Sequence, residues 1–385
     1  MAAALTSLRL YGAIVPFLSF LRPRDSVRAF VFSCFLLVTA CTDSRNTVNI
    51  YNWSDYIGET TLEDFTKATG IETRYDVYDS SDVLEAKLLA GSSGYDVVVP
   101  PFEPYFAREI EAGIYQKLDK SKIPNLKNLD PDLMAKVATA DPGNEHGVIY
   151  QYGTNGFGYN VDKIDERLPG APVDSWDMLF EPDVVAKFAD CGVTMLDAAN
   201  EVIPLALNYL GKDPNSEDAT DLKAAEELLM SVRPYIKYFH SSQYINDLAS
   251  GEICLALGWS GDVVQARMRS AEAKDPQRIA YVIPKEGTML WFDMLAIPKD
   301  APHPDAALAY IDFVLDPKVM AGITNYVAYA NAVPESLQYV HDEIKNDTTI
   351  FPTPGVRKKL FVQRVLSADA ERERNRAWTR IKSGQ

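Results

Sequence analysis

Strand and helix signals alternate from residue 46 onward, which predicts an α/β fold with a mainly parallel sheet and helices on both faces. Three stretches carry that prediction. Val48-Asn49-Ile50 reads as a first strand, and a helical pattern over Thr60–Thr69 follows it and stops at Gly70. Glu72–Val77 reads as a second strand, before a helix from Asp82 to Ala90 whose Asp82 and Glu85 have capping-box spacing and which ends at Gly91. Tyr95-Asp96-Val97-Val98-Val99 reads as a buried third strand, closed by Pro100-Pro101.

The later elements follow the same logic. Phe102–Ala112 reads as a helix, and Tyr115–Leu133 as loop with short helical pieces. Gly147–Tyr159 is rich in glycine and aromatics without helical periodicity and reads as strands crossing out of the first half. Helices are expected from Asp174, over Asn200–Leu210, Asp218–Leu229 and Ser242–Ser250, and strands at Val193–Leu196, Tyr235–Phe239 and Ile253–Trp259. Val282-Ile283-Pro284 and Trp291–Ile297 read as strands returning to the first half, before helices over Pro304–Leu315 and Pro317–Tyr326.

A length of 385 residues points to two domains or one large one, and 47% hydrophobic with 24% charged residues is ordinary for a soluble globular chain. The first forty residues read differently. Arg22, Arg24 and Arg28 precede an apolar run from Ala29 to Ala40, the pattern of a secretory signal and too short to span a bilayer of ~30 Å. The small residues Thr39 and Ala40 directly before Cys41 resemble a lipoprotein lipobox, which would make Cys41 a lipid anchor; ordinary cleavage nearby is the alternative. Losing residues 1–40 removes four Arg and one Asp, so the net charge falls from −16 by a further 3 to −19. Such a balance argues against nucleic acid and anionic membranes as partners and favours attraction of cations. Cys191 and Cys254 then remain, and a pair in an exported protein reads as a disulfide, with two free buried thiols as the alternative.

Little in the sequence supports catalysis. His146, His240, His303 and His341 have no metal-ligand spacing, no glycine-rich phosphate loop occurs, and nothing calls for a cofactor. Gly258-Trp259-Ser260-Gly261-Asp262 approaches a nucleophile elbow, but the second glycine is one place early. Two carboxylates flanked by aromatics could serve a secreted glycosidase, the enzyme alternative. The stronger pattern is four carboxylates near predicted strand ends, most of them beside aromatics. Asp55 lies between Trp53 and Tyr56, Asp262 follows Trp259, Asp293 follows Trp291, and Glu201 opens a helix after a strand. Ligands bind at the carboxyl ends of strands in open α/β sheets, and carboxylates among aromatic faces suit a cationic ligand. The plainer reading makes the aromatics core residues and Asp55 a helix cap.

At this point the residues resemble a family. Val48-Asn49-Ile50-Tyr51-Asn52-Trp53-Ser54-Asp55-Tyr56-Ile57 is similar to the opening of the periplasmic polyamine-binding proteins of ABC transporters, the putrescine-binding branch in particular. Gly94–Pro100, Gly158–Lys163, Tyr238–Asp247, Gly258–Val263, Phe292-Asp293 and Tyr329–Ala332 resemble further family segments in order. The resemblance implies a two-lobed periplasmic binding protein fold of type II-like topology, each lobe a mixed sheet flanked by helices. It implies lobe 1 from 41–150 plus 266–326 and lobe 2 from 151–265 plus 327–385. It also implies capture of putrescine or a similar diamine by a monomer, and delivery to ABC permease subunits; a polyamine-sensing lipoprotein without transport is the alternative. By matching position, Trp53, Ser54, Asp55, Tyr56, Glu201, Ser241, Trp259, Asp262, Trp291, Asp293 and Tyr329 would line the cleft. Asp293 would anchor one ammonium, with Asp262 and Glu201 on the other side and the aromatics boxing the alkyl chain. Cys191 and Cys254 match a family disulfide. The chain departs where putrescine binders carry serine after Val-Val-Pro: here Pro101-Phe102-Glu103 brings a new carboxylate, Glu103, toward the cleft. Trp291 leans to the spermidine type and Ala198 to the putrescine type.

Overall fold

A computed structural model describes residues 46–384. The signal and the Cys41 anchor expected from the sequence lie outside the described residues. The chain opens with β1 (Thr47–Trp53), α1 (Thr61–Thr69), β2 (Glu72–Tyr78), α2 (Ser81–Leu89) and β3 (Val97–Val98). β1 pairs in parallel with both β2 and β3, as the alternating signals require. Gly70 closes α1 in the left-handed region at φ 70°, and its N–H donates to the Thr66 carbonyl. The expected capping box of α2 is absent. Ser80 occupies the N-cap, and Asp82 and Glu85 spend their carboxylates on Tyr105 and Arg108 instead. The expected helix after Pro101 is broken: one wide turn over Phe102–Phe106 contains Glu103 in extended backbone, and only α3 (Ala107–Glu111) is regular.

α4 (Pro131–Val137) leads to β4 (Gly147–Asn160), a fourteen-residue strand that ties the molecule together. Its first half pairs antiparallel with β9 (Thr288–Ala296), its second half with β7 (Leu255–Trp259) and β8 (Ile279–Val282). A Cβ at Gly156 would lie 2.2 Å from the Val282 carbonyl oxygen, so only glycine lets this strand pass. β5 (Val193–Met195) and β6 (Ile236–Phe239) extend the sheet in parallel beyond β7. The sheet is therefore mixed, parallel at its flanks and antiparallel through the middle. Helices α5 (Val161–Arg167), α6 (Asp177–Phe180) and α7 (Pro182–Val185) lie between β4 and β5, and α8 (Ala199–Tyr209), α9 (Ala219–Val232), α10 (Gln243–Ser250) and α11 (Ser260–Ala271) follow the second-half strands. The sequence reading contains no α11. Near the end come α12 (Pro304–Val314), α13 (Pro317–Val327) and α16 (Ala368–Ser383), with the short helices α14 (Asp342–Lys345) and α15 (Pro354–Arg357) between them.

Two large hydrophobic cores form, with a small third cluster around Val264, Val340 and Ile344. One gathers β1, β3, α12 and the C-terminal half of β9, with Phe65 edge-on to Tyr310. The other gathers the second half of β4, β5, β7, α8 and Trp378 of α16. Ala266, Ile279, Tyr281 and Met289 pack in the second core, and Tyr329, Ala332 and Val333 in the first. The chain thus passes from the second core to the first along β9 and is still packed in the first at Val333, because β8 pairs with the second half of β4. Cys191 and Cys254, 63 positions apart along the chain, form a disulfide with Cα atoms 5.5 Å apart. Closing a loop of that length stabilises by about 4 kcal/mol in the chain-entropy model.

Candidate functional site

The site begins with strand ends. Trp53 is the last residue of β1 and Trp259 the last of β7, one from each half, and their rings meet edge-on at 6.0 Å. The Val99 carbonyl pins the first side by accepting from Trp53 Nε1 at 3.0 Å and the Tyr78 hydroxyl at 2.5 Å. Trp291 and Asp293 stand two apart on β9, so both face the same way, while Phe292 between them points into the first core. Tyr329 completes the enclosure, its ring edge-on to Trp291 and to Tyr56 at 5.2 Å each. A Cβ at Gly261 would meet the Tyr329 ring at 2.5 Å, so that glycine admits the ring. The resulting cleft holds about 1030 Å³ between atoms, mouth included.

Of the carboxyl groups that line it, three lie beside Trp259, Tyr329 and Tyr56. Glu201 and Asp262 sit in the first turns of α8 and α11, where helix dipoles favour negative charge. Glu201 accepts from Asn155 Nδ2 at 2.5 Å and from Trp259 Nε1 at 2.6 Å. Asp262 accepts from the Tyr329 hydroxyl at 2.6 Å and the Tyr244 hydroxyl at 2.9 Å. Burial nonetheless raises both, Glu201 above its ordinary range and Asp262 to about 6, against these hydrogen bonds. Burial pushes Asp293 further, to about 8, with the Glu201 charge adding to it. Only the neighbouring Tyr56 hydroxyl offsets this, and its geometry falls short of a full hydrogen bond. None of the three has a Lys or Arg salt-bridge partner among the described residues.

Of the residues singled out in the sequence, Trp53, Ser54, Tyr56, Glu103, Glu201 and Ser241 line the cleft. Trp259, Asp262, Trp291, Asp293 and Tyr329 line it as well. The Ser54 hydroxyl is committed to Asp79 at 2.6 Å, and that of Ser241 accepts from the Asp197 N–H at 3.2 Å. Asp55 is not among the lining residues. It adopts a left-handed backbone at φ 56°, which turns its carboxylate to Arg269 at 2.9 Å, and it reaches Asp262 only as a distant charge. The sequence reading missed Tyr78, Asp79, Asp82, Tyr105, Asn200 and Gln363, which also line the cleft. Tyr78 and Asp79 had a signal, since Tyr78 ends β2 in register with Trp53. Gln363, in a loop far along the chain, had none.

This arrangement has counterparts. The chain matches the family described as bacterial extracellular solute-binding protein over residues 60–353. It is 52% identical over 339 residues to the putrescine-binding periplasmic protein SpuD of Pseudomonas aeruginosa, covering 88% of this chain and 92% of the relative. It is 49% identical over 343 residues to the putrescine-binding periplasmic protein PotF of Escherichia coli, covering 89% and 92%. The solved spermidine/putrescine ABC transporter substrate-binding protein PotD of Streptococcus pneumoniae is 27% identical, with a TM-score of 0.71 over 88% of this chain and 99% of that one. An aromatic cleft at strand ends between two cores, together with these likenesses, shows that the chain belongs to the bacterial extracellular solute-binding proteins.

Proposed function

We propose that the protein captures a polyamine, putrescine or a similar diamine, in this cleft and delivers it to an ABC permease from the periplasm. The observation that carries the reading is the set of three carboxyl groups, Asp293 and Asp262 buried and Glu201 half-buried, that aromatic rings surround and no described cation pairs. A buried anion without a partner is costly, and a ligand that brings its own positive charges removes that cost. Aromatic faces attract ammonium groups and cover methylenes, so a linear diamine answers both parts of the lining. The relatives' descriptions as putrescine-binding periplasmic proteins support the same ligand class and location. Binding and release make and break no covalent bond.

Two lobes built on the two cores would close on the ligand, with β4 and β9 as connecting strands. A ligand touching both Asp293 and Glu201 binds the closed state better than the open one, which is what drives closure. The protein acts as a monomer, and Cys41 is the proposed point of lipid attachment. Isothermal titration calorimetry on ligand-stripped protein lacking residues 1–41 tests the reading. Tight binding of putrescine, weakened well over tenfold by Asp293→Asn, is expected, because an ammonium would lose its counter-charge in a dry site. Equal affinity in the variant would refute it.

A further inference from the structure

An ion-pair cluster outside the cleft lining joins the two halves of the molecule. Arg108 lies on α3, where Phe106 beside it and Leu84 of α2 pack in the first core. It grips Glu85 of α2 through Nε and Nη2, the latter at 2.6 Å. Its Nη1 donates to both carboxylate oxygens of Glu371, at 2.8 and 2.9 Å. Glu371 stands in the first turn of α16, a helix that Trp378 and Ile381 anchor in the second core. The side chains of Glu85, Arg108 and Glu371 are 18, 23 and 24% exposed, against 34 and 45% for Arg269 and Asp55, which also pair. A second strand of contacts runs beside the first. The guanidinium lies 4.5 Å over the Tyr105 ring, whose hydroxyl donates to Asp82 at 2.9 Å and accepts from Asn200 Nδ2 of α8 at 3.3 Å. Tyr105 and Asn200 line the cleft, so the cluster adjoins it without entering it.

The division of labour around Arg108 is informative. Glu85, from the same half, takes Nε and Nη2 in a fork that fixes the guanidinium plane, and Nη1 is left to Glu371 of the other half. Separating the halves would break only the second pair: Arg108 would keep Glu85, and Glu371 would return to water at a helix N-terminus that favours its charge. The Arg108–Glu371 pair is thus made only when the halves meet. We propose, resting on the polyamine reading and the lobe closure above, that it is the latch of the closed state, with Glu85 as its socket, and that it sets how long a bound amine stays although it touches no ligand. An interaction made in the closed state alone favours that state, and so slows release without changing how fast ligand enters the open one.

Stopped-flow tryptophan fluorescence with putrescine on the wild type, Glu371→Gln and Glu85→Gln tests this, alongside thermal unfolding of the ligand-free proteins. Glu371→Gln is expected to raise koff at least fivefold and to leave kon within twofold. It should lower the ligand-free Tm by no more than about 2 °C, the size of losing one helix-end charge. Glu85→Gln, which breaks a pair inside one half, should lower the ligand-free Tm further. An unchanged koff in folded Glu371→Gln would overturn the latch and leave the polyamine reading intact, as would a large loss of ligand-free Tm, which would make the pair a permanent brace. Failure of the wild type to bind putrescine would overturn the polyamine reading, and the latch with it.

Discussion

Polyamine binding should release protons, and the acidity of the cleft sets how many. In the ligand-free protein Asp293 is held at about 8, so at pH 7 roughly nine molecules in ten carry its proton. Glu103, at about 7, is roughly half protonated, and Asp262, at about 6, mostly ionised. An ammonium needs the carboxylate, not the acid, so binding must first drive the Asp293 proton off. At pH 7 that costs about 1.4 kcal/mol, or roughly tenfold in affinity, for a group one unit above the solution pH. Affinity should therefore climb by about tenfold per pH unit from pH 6 to 8 and level off above pH 8. Calorimetry in buffers of different ionisation enthalpy reads the release directly, as the slope of observed heat against buffer enthalpy. About one proton per diamine is expected at pH 7 and none at pH 9, and Asp293→Asn should abolish most of the release. A zero slope at pH 7, with flat affinity from pH 6 to 8, would mean that Asp293 is already ionised in the empty cleft and that no proton leaves on binding.

Other expectations follow from the same geometry. Because Asp293 binds its proton more tightly folded than unfolded, the ligand-free protein should lose stability from this group as pH rises from about 4 to about 8, and saturating putrescine should restore it; urea unfolding at pH 5 and pH 8 checks the sign. Trp259→Phe keeps an aromatic ring but removes the Nε1 donor at 2.6 Å from Glu201, and should weaken putrescine binding by about tenfold at pH 7 by calorimetry. Gly261→Ala would drive a methyl into the Tyr329 ring, loosening its hold on Asp262, and should raise the putrescine Kd more than tenfold. Reducing the Cys191–Cys254 disulfide should remove about 4 kcal/mol and lower Tm by about 6 °C in calorimetric scans.

The legible parts of this fold are those in which local signals and tertiary structure agree. β1, α1, β2 and the Gly70 stop follow from pattern alone: β1 buries Val48 and Ile50, α1 buries Phe65 and stops at Gly70, and β2 alternates exposed and half-buried residues from Glu72 to Asp76. The capping box at Asp82 failed because tertiary partners competed: Tyr105 and Arg108 are better placed for the two carboxylates than the helix end is. α11 is missing from the sequence reading because Ser260-Gly261-Asp262 stands out there only as a near nucleophile elbow; in the fold the Asp262 N–H donates to the Tyr329 hydroxyl where the helix begins. Strand logic puts Trp53 and Trp259, as strand-end residues, and Asp293, by the pleat inside β9, on the cleft lining. It misplaces Asp55, whose direction depends on one left-handed residue and on an arginine 214 positions away.

The same physics explains why a protein would keep such awkward acids. An empty cleft with Asp293, Asp262 and Glu201 must hold protons or admit water, and either leaves the closed arrangement poorly satisfied. A neutral molecule of the same shape could fill the aromatic box but would leave the carboxyl groups as they were. Only a cation supplies the missing charge, and only one long enough to meet Asp293 from one core and Glu201 from the other supplies it to both. On the proposed closing of the two lobes, charge and length would together set the condition. Each carboxyl group that the empty protein holds at a cost adds to the difference in affinity between its open and closed states.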